Sequence, residues 1–388
     1  MEINSKLKKV ASVFLDRRTK KQLPYVKLKK YINQLENSND LIERSYLQYQ
    51  CQMYIQGRIF KYMTNIASWI LYPMIIYKVK HSKIHKNNTQ YEAVFNCYDI
   101  DVEILPDSLK TKYISIFYNK EMNGYYVDKE LMEFINSRLK KYKFSRYFYL
   151  KTIMKLSYYN YLINVYSCEA IIGYCEFSFT SSTLTEYCHY LDKKHINVMH
   201  GEKNFDIINS FSSFDDFYVW ADFYRDLFNS LKIQSNYIIE IPPAIMWKET
   251  ESDEYLDYTY YLTNPPIDAL TNIINILTDL NKKGYKISIR PHPRYTNIEE
   301  LRTICPTNIE IEDNKNLSIK ESLKRTKSVI SDFSTVLIQG LFANKKVIID
   351  DISDPKIYFQ MVDLKYGIVY KRNNYIKLSD FLRKEYSV

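Results

Sequence analysis

The order of hydrophobic and polar positions divides the chain into two parts with different periodicity. Over roughly the first 90 residues apolar positions recur at helical spacing, without alternation between short β-rich runs and helices. From Tyr91 onward, short runs of β-branched and aromatic residues alternate with amphipathic stretches. Since such alternation produces parallel strands joined by helices, the pattern predicts an α/β protein with a mostly helical N-terminal extension.

The β-α alternation occurs twice, and an acidic segment without apolar periodicity separates the two series. Strands are predicted at 93–98, 113–118, 170–175, 197–199, 217–220 and 237–241, then at 258–262, 286–289, 308–311, 328–330 and 346–349. Four regions follow: a helical region at 1–90, a first Rossmann-like domain at 91–247, a linker at 248–257 and a second Rossmann-like domain at 258–388. We expect the carboxyl ends of both sheets to face one shared cleft.

Candidate chemistry in the second series lies where two predicted strands end. Two prolines stop the first strand and hold His292 on a rigid turn, with Arg290 before it and Pro293 after it. The next such turn carries Ser334 and Thr335 directly before a helix, where hydroxyls can cap the helix and leave N–H groups for an anion. These residues therefore predict a site for a phosphate-bearing donor.

A further candidate in the second series is Glu312, near the carboxyl end of a predicted strand. A carboxylate there is in a position to meet a ribose hydroxyl. The chain has only 7 Gly and contains no glycine-rich phosphate loop, so we expect any nucleotide to be held by other groups.

Two clusters at strand ends in the first series offer a general base. Glu176 follows one predicted strand and precedes a polar helix start. His200 and Glu202 follow the next strand, where Gly201 permits a tight turn. A carboxylate or imidazole facing the cleft can take the proton from an acceptor hydroxyl. Any of the three side chains fits this role.

The charge of the chain is concentrated at its N-terminal end. Residues 1–30 carry ten basic and two acidic residues, whereas the whole chain has a formal net charge of +9. From Arg58 to Lys86 there are six basic residues and no acid, around an apolar run that contains Trp69. The run is too short to span a bilayer. It fits a buried helix bordered by solvated lysines, or a segment in the headgroup region of an anionic membrane.

Two classes of partner or site, nucleic acid and a metal ion, lack support in the sequence. The aromatic clusters between Tyr142 and Tyr161 are not joined to a basic groove, so we expect no nucleic acid. Six scattered cysteines show no metal-ligand spacing, which indicates reduced thiols in a cytoplasmic protein and no metal site.

The two motifs of the second series resemble those of bacterial two-domain (GT-B) sialyltransferases of capsule and lipooligosaccharide synthesis. These enzymes carry an H-P motif, matched by His292-Pro293, and an S-S/T motif, matched by Ser334-Thr335. The resemblance implies that His292 assists the departure of CMP and that the paired hydroxyls hold its phosphate. A third motif of that group, D/E-D/E-G, supplies the base; Tyr174-Cys175-Glu176 keeps one acid and lacks the glycine.

A second resemblance is to teichoic-acid glycerophosphotransferases that use CDP-glycerol. Their H-G, R-x-H-P and S-D-[FY]-S-[ST] turns are matched by His200-Gly201, Arg290 to Pro293, and Ser331 to Thr335. This resemblance implies that His200 is the base. The two resemblances together cover roughly residues 165–350 and leave the N-terminal region unmatched.

The sequence-based hypothesis is an inverting glycosyltransferase of GT-B type. It moves sialic acid or a related nonulosonic acid from its CMP ester to a glycan or glycolipid acceptor at the cell surface, without a metal. The basic N-terminal region is expected to hold it peripherally at the inner face of the cytoplasmic membrane. The alternatives are polyol-phosphate transfer from a CDP-linked donor and a non-catalytic scaffold of an envelope-assembly complex.

Overall fold

The computed structural model describes residues 23–82, 89–97, 102–120, 124–174, 177–246, 255–370 and 375–386. The basic residues before position 23, the pair Cys175 and Glu176, and most of the predicted linker lie outside these ranges. Within the described part of the chain, no helix is both long and apolar enough to cross a membrane.

Two six-stranded, wholly parallel sheets form the body of the protein. The first contains β1 (Ala93–Asn96), β2 (Ile116–Asn119), β3 (Ala170–Tyr174), β4 (Lys194–Val198), β5 (Ser213–Val219) and β6 (Gln234–Ile239), in the order β2-β1-β3-β4-β5-β6. The second contains β7 (Leu256–Tyr261), β8 (Ile287–Arg290), β9 (Glu310–Ile311), β10 (Thr326–Ser331), β11 (Lys346–Ile349) and β12 (Ile376–Lys377), in the order β12-β11-β10-β7-β8-β9. The predicted α/β class with two Rossmann-like parallel-sheet domains is confirmed.

The helices lie before, between and after the strands. Before β1 are α1 (Tyr25–Gln34), α2 (Leu41–Gln56) and α3 (Arg58–Lys80). The first sheet is connected by α4 (Asp107–Lys112), α5 (Lys129–Arg138), α6 (Arg146–Tyr166), α7 (Ser181–Tyr190) and α8 (Asp222–Ser230). The second has α9 (Ile267–Lys282), α10 (Ile298–Ile304), α11 (Ile319–Arg325), α12 (Val336–Phe342), α13 (Pro355–Asp363), α14 (Gly367–Tyr370) and α15 (Leu378–Tyr386).

Successive side chains of the central strands enter opposite faces of their sheet. On β1, Val94 joins the hydrophobic cluster that contains α5 and α6, whereas Phe95 joins the cluster on the other face. Both residues are fully buried. Burial on both faces is the reason the strands are short apolar runs rather than alternating ones. The helical stretch between β2 and β3 is divided into α5 and α6 by a short 3-10 turn, Lys140–Tyr142.

The N-terminal helices are fixed to the first domain by buried polar contacts. The guanidinium of Arg44 on α2 is completely buried and donates to Ser213 Oγ at 2.8 Å and to the carbonyl oxygen of Lys232. Gln48 donates to the carbonyl oxygens of Phe177 and Ile208 at 2.9 and 2.7 Å. Because a buried charge without partners is costly, these contacts specify one orientation of α2 on the sheet.

The end of the second domain returns to the first domain. The N–H of Phe205 donates to the carbonyl of Leu364 at 2.7 Å, and the N–H of Tyr25 donates to Asp363 at 2.9 Å. Met361 and Leu364 join the same hydrophobic cluster as strands of the first domain. The carboxyl ends of the two sheets are thereby held facing each other across a cleft.

Candidate active site

A cleft of about 820 Å³ separates the carboxyl ends of the two sheets. Residues after β3 and β4 line one side, and residues after β7, β8 and β10 line the other. In the second sheet β7 and β10 are neighbours although the chain runs from β7 outward through β8 and β9 before it returns. The strand order therefore reverses between β7 and β10, which is where open parallel sheets bind ligands.

The predicted site residues of the second domain meet at this reversal point. His292, Pro293, Ser334 and Thr335 all line the cleft, as does Arg290. These residues follow β8 and β10, two strands that flank β7 in the sheet. The sheet thus brings together two turns that lie about 40 residues apart in the chain.

The turn around His292 holds the imidazole as a neutral hydrogen-bond donor. The N–H of Arg294 donates to His292 Nδ1 at 3.1 Å, so the ring proton lies on Nε2. The N–H of His292 donates to Thr296 Oγ1 at 2.8 Å, and the ring stacks on Tyr295 with centroids 4.5 Å apart. Burial and the nearby Arg294 both lower the pKa of His292. The structure therefore favours a neutral imidazole that donates from Nε2 over an imidazolium.

The hydroxyl turn after β10 only partly caps its helix. Ser334 Oγ accepts from the N–H of Val336 at 3.3 Å, whereas Thr335 makes no side-chain cap, which corrects the prediction for one of the two hydroxyls. The N–H of Leu337 is also occupied, because it donates to the carbonyl of Ser334. The N–H groups of Ser334 and Thr335 have no acceptor among the described residues. These two N–H groups and the Thr335 hydroxyl are the donors that the turn offers to the cleft.

Asp332 lies beneath this turn and braces it. Its carboxylate is 3% exposed and accepts from the Thr263 hydroxyl, which is 2.9 Å from both oxygens, and from the N–H of Phe333 at 2.6 Å. Burial raises the pKa of Asp332 to about 6, and the charge of Asp350 acts in the same direction. Thr263 lines the cleft, so the brace connects the loop after β7 to the loop after β10.

Glu312 does not reach the cleft, and the ribose contact predicted for it is corrected. Its carboxylate is 2% exposed, forms an ion pair with Arg290 Nη1 at 3.0 Å and accepts from Ser322 Oγ at 2.6 Å. Arg290 also donates to the carbonyl of Leu317 at 2.8 Å. Its guanidinium is therefore occupied in bracing the turn, and the exposed Arg294 is the arginine side chain available to a ligand.

The first domain contributes His200, Gly201 and Glu202 to the cleft. The ring of His200 packs edge-on against Tyr174 with centroids 5.7 Å apart. Part of the ring faces the open cleft, but the surrounding walls desolvate it. This desolvation, with the charges of Lys203 and Arg294, lowers the pKa of His200 to about 4. At neutral pH the imidazole is therefore unprotonated, as a base must be.

The turn at Gly201 brings the first domain close to the second. Its φ of +71° lies in the left-handed region, and a Cβ there would lie 3.4 Å from Thr335 Oγ1. Glu202 is held by the Tyr224 hydroxyl, which donates to Oε2 at 2.5 Å, and it fills the space beside Gly367. The H-G turn of the first domain and the hydroxyl turn of the second thus face each other directly.

Glu176 lies outside the described residues, two positions beyond the last residue of β3. That last residue, Tyr174, lines the cleft. In the first sheet β3 is paired with both β1 and β4, and the strand order reverses between β1 and β3. The strand that leads to Glu176 therefore ends at the ligand-binding edge of its own sheet.

Sequence reasoning missed the loop after β7 and the return segment of the second domain. Thr263 and Asn264 line the cleft, and so do Gln339 and Tyr366. The loop had a detectable signal, because Thr263-Asn264-Pro265-Pro266 repeats the arrangement of a strand, polar residues and prolines that identified His292. Tyr366 had none, since only the return of the chain after α13 brings it to the cleft. Among the described residues, no three His, Cys, Asp or Glu side chains form a group able to hold a metal ion.

Neither a protein-family model nor a curated relative matches the chain. Solved structures with a similar arrangement include S. aureus MnaA with UDP, at 11% identity and a TM-score of 0.44, covering 76% of this chain and 97% of that one. UDP-GlcNAc 2-epimerase from Neisseria meningitidis, bound to UDP-GlcNAc, matches at 10% identity and a TM-score of 0.42, over 76% and 99% of the two chains. The glycosyltransferase SnogD from Streptomyces nogalater matches at 10% and 0.38, over 68% and 81%. At these scores the likeness assigns neither a reaction nor a substrate to this chain.

Proposed function

We propose that the protein is an inverting glycosyltransferase that moves sialic acid or a related nonulosonic acid from its CMP ester to a hydroxyl of a surface glycan. One observation carries the proposal. A neutral imidazole and a pair of hydroxyl residues on one domain face, across a single cleft, the strand ends of the other domain that offer a base. The identity of the nucleotide and of the sugar rests on the resemblance of the H-P and S-S/T motifs.

The second domain supplies the donor side of this reaction. In the proposed complex His292 Nε2–H, the N–H groups of Ser334 and Thr335 and the Thr335 hydroxyl donate to the phosphate of CMP. Such donors are most effective when they are fixed before charge develops, because no reorganisation is then needed in the transition state. The braces behind them, through Asp332 and Arg290, support this role. Arg294 provides a cation for the phosphate or for the carboxylate of an acidic sugar.

The proposed step balances without a metal or a redox partner. The acceptor oxygen forms a bond to the anomeric carbon while the bond from that carbon to the phosphate oxygen breaks. The electron pair of the broken bond stays on CMP, where the donors of the second domain stabilise it. The acceptor proton passes to a base on the first domain. Attack from the face opposite the leaving group inverts the anomeric configuration.

Three residues were candidates for the base, and their surroundings differ. Glu176 follows the strand that ends at the reversal point of the first sheet, so we assign it the base in sialyl transfer. His200 is unprotonated at neutral pH, but a pKa of about 4 makes it a weak base. Glu202 already accepts from Tyr224 and is ranked last.

The position of His200 favours a second candidate function. Its ring lines the cleft, and the adjacent Gly201 faces Thr335. This arrangement suits a histidine base in polyol-phosphate transfer from a CDP-linked donor. There the acceptor oxygen attacks the β-phosphorus, the bond between the β-phosphorus and the bridging oxygen breaks, and CMP leaves.

The test is a donor screen followed by three substitutions. CMP-, CDP-, UDP- and GDP-linked donors are compared for hydrolysis and transfer, with and without chelator, and we expect turnover of the CMP-sugar in both conditions. Glu176→Ala then abolishes transfer while His200→Ala is mild; the polyol-phosphate reaction reverses this order. His292→Ala lowers kcat by about 10²–10³ in either case, as expected for the loss of a fixed donor. His189→Ala, on the surface with an Asp215 partner, serves as the matched control.

Two results would contradict the proposal. Normal turnover of His292→Ala would remove that residue from the mechanism. If neither CMP nor CDP stabilises the protein, the third hypothesis, a scaffold without activity, is favoured. A bound nucleotide at 100 times its dissociation constant adds about 2.7 kcal/mol to the free energy of unfolding, which a thermal melt detects easily.

A further inference from the structure

Helix α3 presents an apolar face to solvent along its whole length. Eight large hydrophobic side chains lie on it and define what we term the α3 outer face: Ile59, Tyr62, Met63, Ile66, Trp69, Ile70, Met74 and Tyr77. Ile59 and Ile70 are 77% and 70% exposed. The spacing of three, four and seven residues places all eight on one side of the helix. A continuous stripe of this kind marks an interaction surface.

The opposite face of α3 is fixed to the protein, so the exposure of the stripe is a property of the fold. Asn65 donates to the Tyr49 hydroxyl at 3.3 Å and accepts from the N–H of Tyr147 at 3.2 Å. Tyr72 stacks with Tyr149 on α6, and Val79 is 2% exposed. The helix therefore cannot rotate its apolar side inward without breaking these contacts.

Basic residues border the stripe along the chain, and two acids near the loop before α6, Asp40 and Glu43, are paired there with Lys141. No charged residue occurs between Tyr62 and Tyr77, and basic residues precede and follow this run: Arg58, Lys61, Lys78 and Lys80. The loop before α6 adds exposed lysines at 140 and 143, and the guanidinium of Arg146 stacks on Trp69 at 3.6 Å. Beside them Phe144 is 74% exposed. Aliphatic and aromatic residues with a cationic margin are typical of helices that lie in the headgroup region of an anionic bilayer.

We propose that the α3 outer face binds an anionic membrane surface, with the helix axis parallel to the bilayer plane. The 23 residues of α3 give it a length of roughly 35 Å, enough to anchor the whole first domain in one orientation. Trp69 and Tyr62, at the edge of the stripe, lie at the headgroup level, and the isoleucine side chains and Tyr77, along its centre, face the acyl region. The attachment does not depend on the proposed reaction. It extends the sequence-based expectation, which gave the contact to the basic residues at 1–30 and left the run around Trp69 open between a buried helix and a segment in the headgroup region.

The test measures binding of the full chain to lipid vesicles by sedimentation. Vesicles of phosphatidylcholine alone are compared with an equimolar mixture of phosphatidylcholine and phosphatidylglycerol. We expect the wild type to bind the mixture. The double variant Ile66→Asp/Ile70→Asp should bind it with an affinity more than about a hundredfold lower, since two side chains that the bound membrane would bury are removed. The matched control is Ile114→Asp/Ile267→Asp, which makes the same change at two exposed positions elsewhere and keeps the wild-type affinity.

The contribution of the basic residues that border the stripe is tested separately with the double variant Lys140→Gln/Lys143→Gln. Each lysine near an anionic surface contributes about fivefold in affinity, so the double variant binds the mixed vesicles roughly 25-fold more weakly. Its thermal melt is expected to match that of the wild type, because both side chains are exposed.

Trp69 provides a direct spectroscopic signal. Vesicles with brominated acyl chains are expected to quench the fluorescence of the wild type, and the vesicle-dependent part of the quenching disappears in Trp69→Phe although that variant still sediments with lipid. Trp220 does not report, since it is 2% exposed within the first domain, and the third tryptophan, Trp247, is replaced by Phe in both proteins of this comparison.

Two outcomes would overturn the proposal. One is wild-type binding of Ile66→Asp/Ile70→Asp to the mixed vesicles. The other is a wild-type dimer that becomes monomeric in this variant without any vesicle binding by either protein, which would assign the stripe to a second copy of the chain. Since neither readout uses turnover, failure here leaves the donor screen unaffected.

Discussion

The two sides of the cleft differ in the groups that they present to it. On the second domain, Glu312 and Asp332 lie beneath the surface, and the cleft is lined by residues that carry hydrogen-bond donors and by Arg294. On the first domain, His200 lines the cleft and is unprotonated at neutral pH, while the carboxylate of the neighbouring Glu202 accepts from Tyr224. One side is therefore built to attract an anion and the other to accept a proton.

The comparison teaches how a chain with few glycines can build an anion-binding edge. Glycine-rich loops bind phosphate with flexible backbone that approaches closely. Here the backbone at His292 is instead fixed by flanking prolines, by the Thr296 hydroxyl and by Asn314, which donates to the carbonyl of Pro291 at 3.0 Å. The buried acids complete the brace. Rigid turns with side-chain supports replace the flexible loop, and the residues that carry the donors line the cleft before any ligand binds.

Replacement of Arg290, the cation that pairs with the buried Glu312, is expected to have the largest effect on stability. Arg290→Met leaves the buried Glu312 carboxylate without its ion pair and lowers the free energy of unfolding by about 3–5 kcal/mol. The double variant Arg290→Met/Glu312→Gln recovers most of this loss, because no charge is left buried. Urea unfolding measures both.

The matched control is an ion pair whose two side chains are exposed to solvent. Arg302→Met breaks the ion pair with Glu299 on α10, where both side chains face solvent, and changes stability by less than about 1 kcal/mol. If the two arginine substitutions lowered the free energy of unfolding equally, the buried ion pair would contribute no more to stability than the exposed one.

The second prediction uses pH to separate the two sides. Burial raises the pKa of Asp332 to about 6, so its ionisation destabilises the fold progressively as pH rises from about 4 to 6. The pKa of His200 is lowered to about 4, so its protonation destabilises the fold as pH falls from about 6.5 to 4. Between about pH 4 and 6, the two groups therefore change the stability of the fold in opposite directions as pH rises.

Asp332→Asn isolates one of these contributions. We expect the variant to be more stable than the wild type near pH 7.5, by at most about 3 kcal/mol, and to lose this advantage near pH 4. Unfolding curves at the two pH values measure the difference. A constant difference at both would show that Asp332 is ionised throughout and that the turn does not bury its charge.

The smallest expected effect concerns the point where the two sides meet. Gly201→Ala costs about 1 kcal/mol of stability, because a side chain is strained at positive φ, and it also places a methyl group against Thr335. Gly284→Ala is the control, since Gly284 has a φ of +94° and open space around it. Both variants should melt at lower temperature. Only Gly201→Ala should weaken the binding of CMP, by less than about tenfold in calorimetry.

The strand pattern was predictable because it is local. Each of the eleven predicted strands overlaps a strand of the structure, and only the two-residue β12 was missed, since so short a pairing leaves no periodic signal. The strand ends were also predictable, because prolines at 291 and 293, and Ser334 and Thr335 after β10, interrupt the apolar runs. This is why most second-domain candidates lie on the cleft.

The partners of the charged residues were not predictable in the same way. Arg290 and Glu312 are 22 residues apart, and nothing in either local sequence states that they form a buried pair. Local sequence also failed to distinguish Glu310, on β9, from Glu312, one residue beyond its end, although only Glu312 is enclosed. The exposure of the α3 outer face was not predictable either, because an apolar helix has the same sequence pattern whether a domain or a membrane covers it.

The sequence by itself determined the two β-α series, the edges at which their strands end and the residue types available there. It could do so because periodicity and turn chemistry act over a few neighbouring residues. Only the tertiary structure decided that Gly201 faces Thr335 and which of the acids are buried. Those outcomes depend on contacts between residues far apart in the chain, and only the packing of the two sheets against each other creates them.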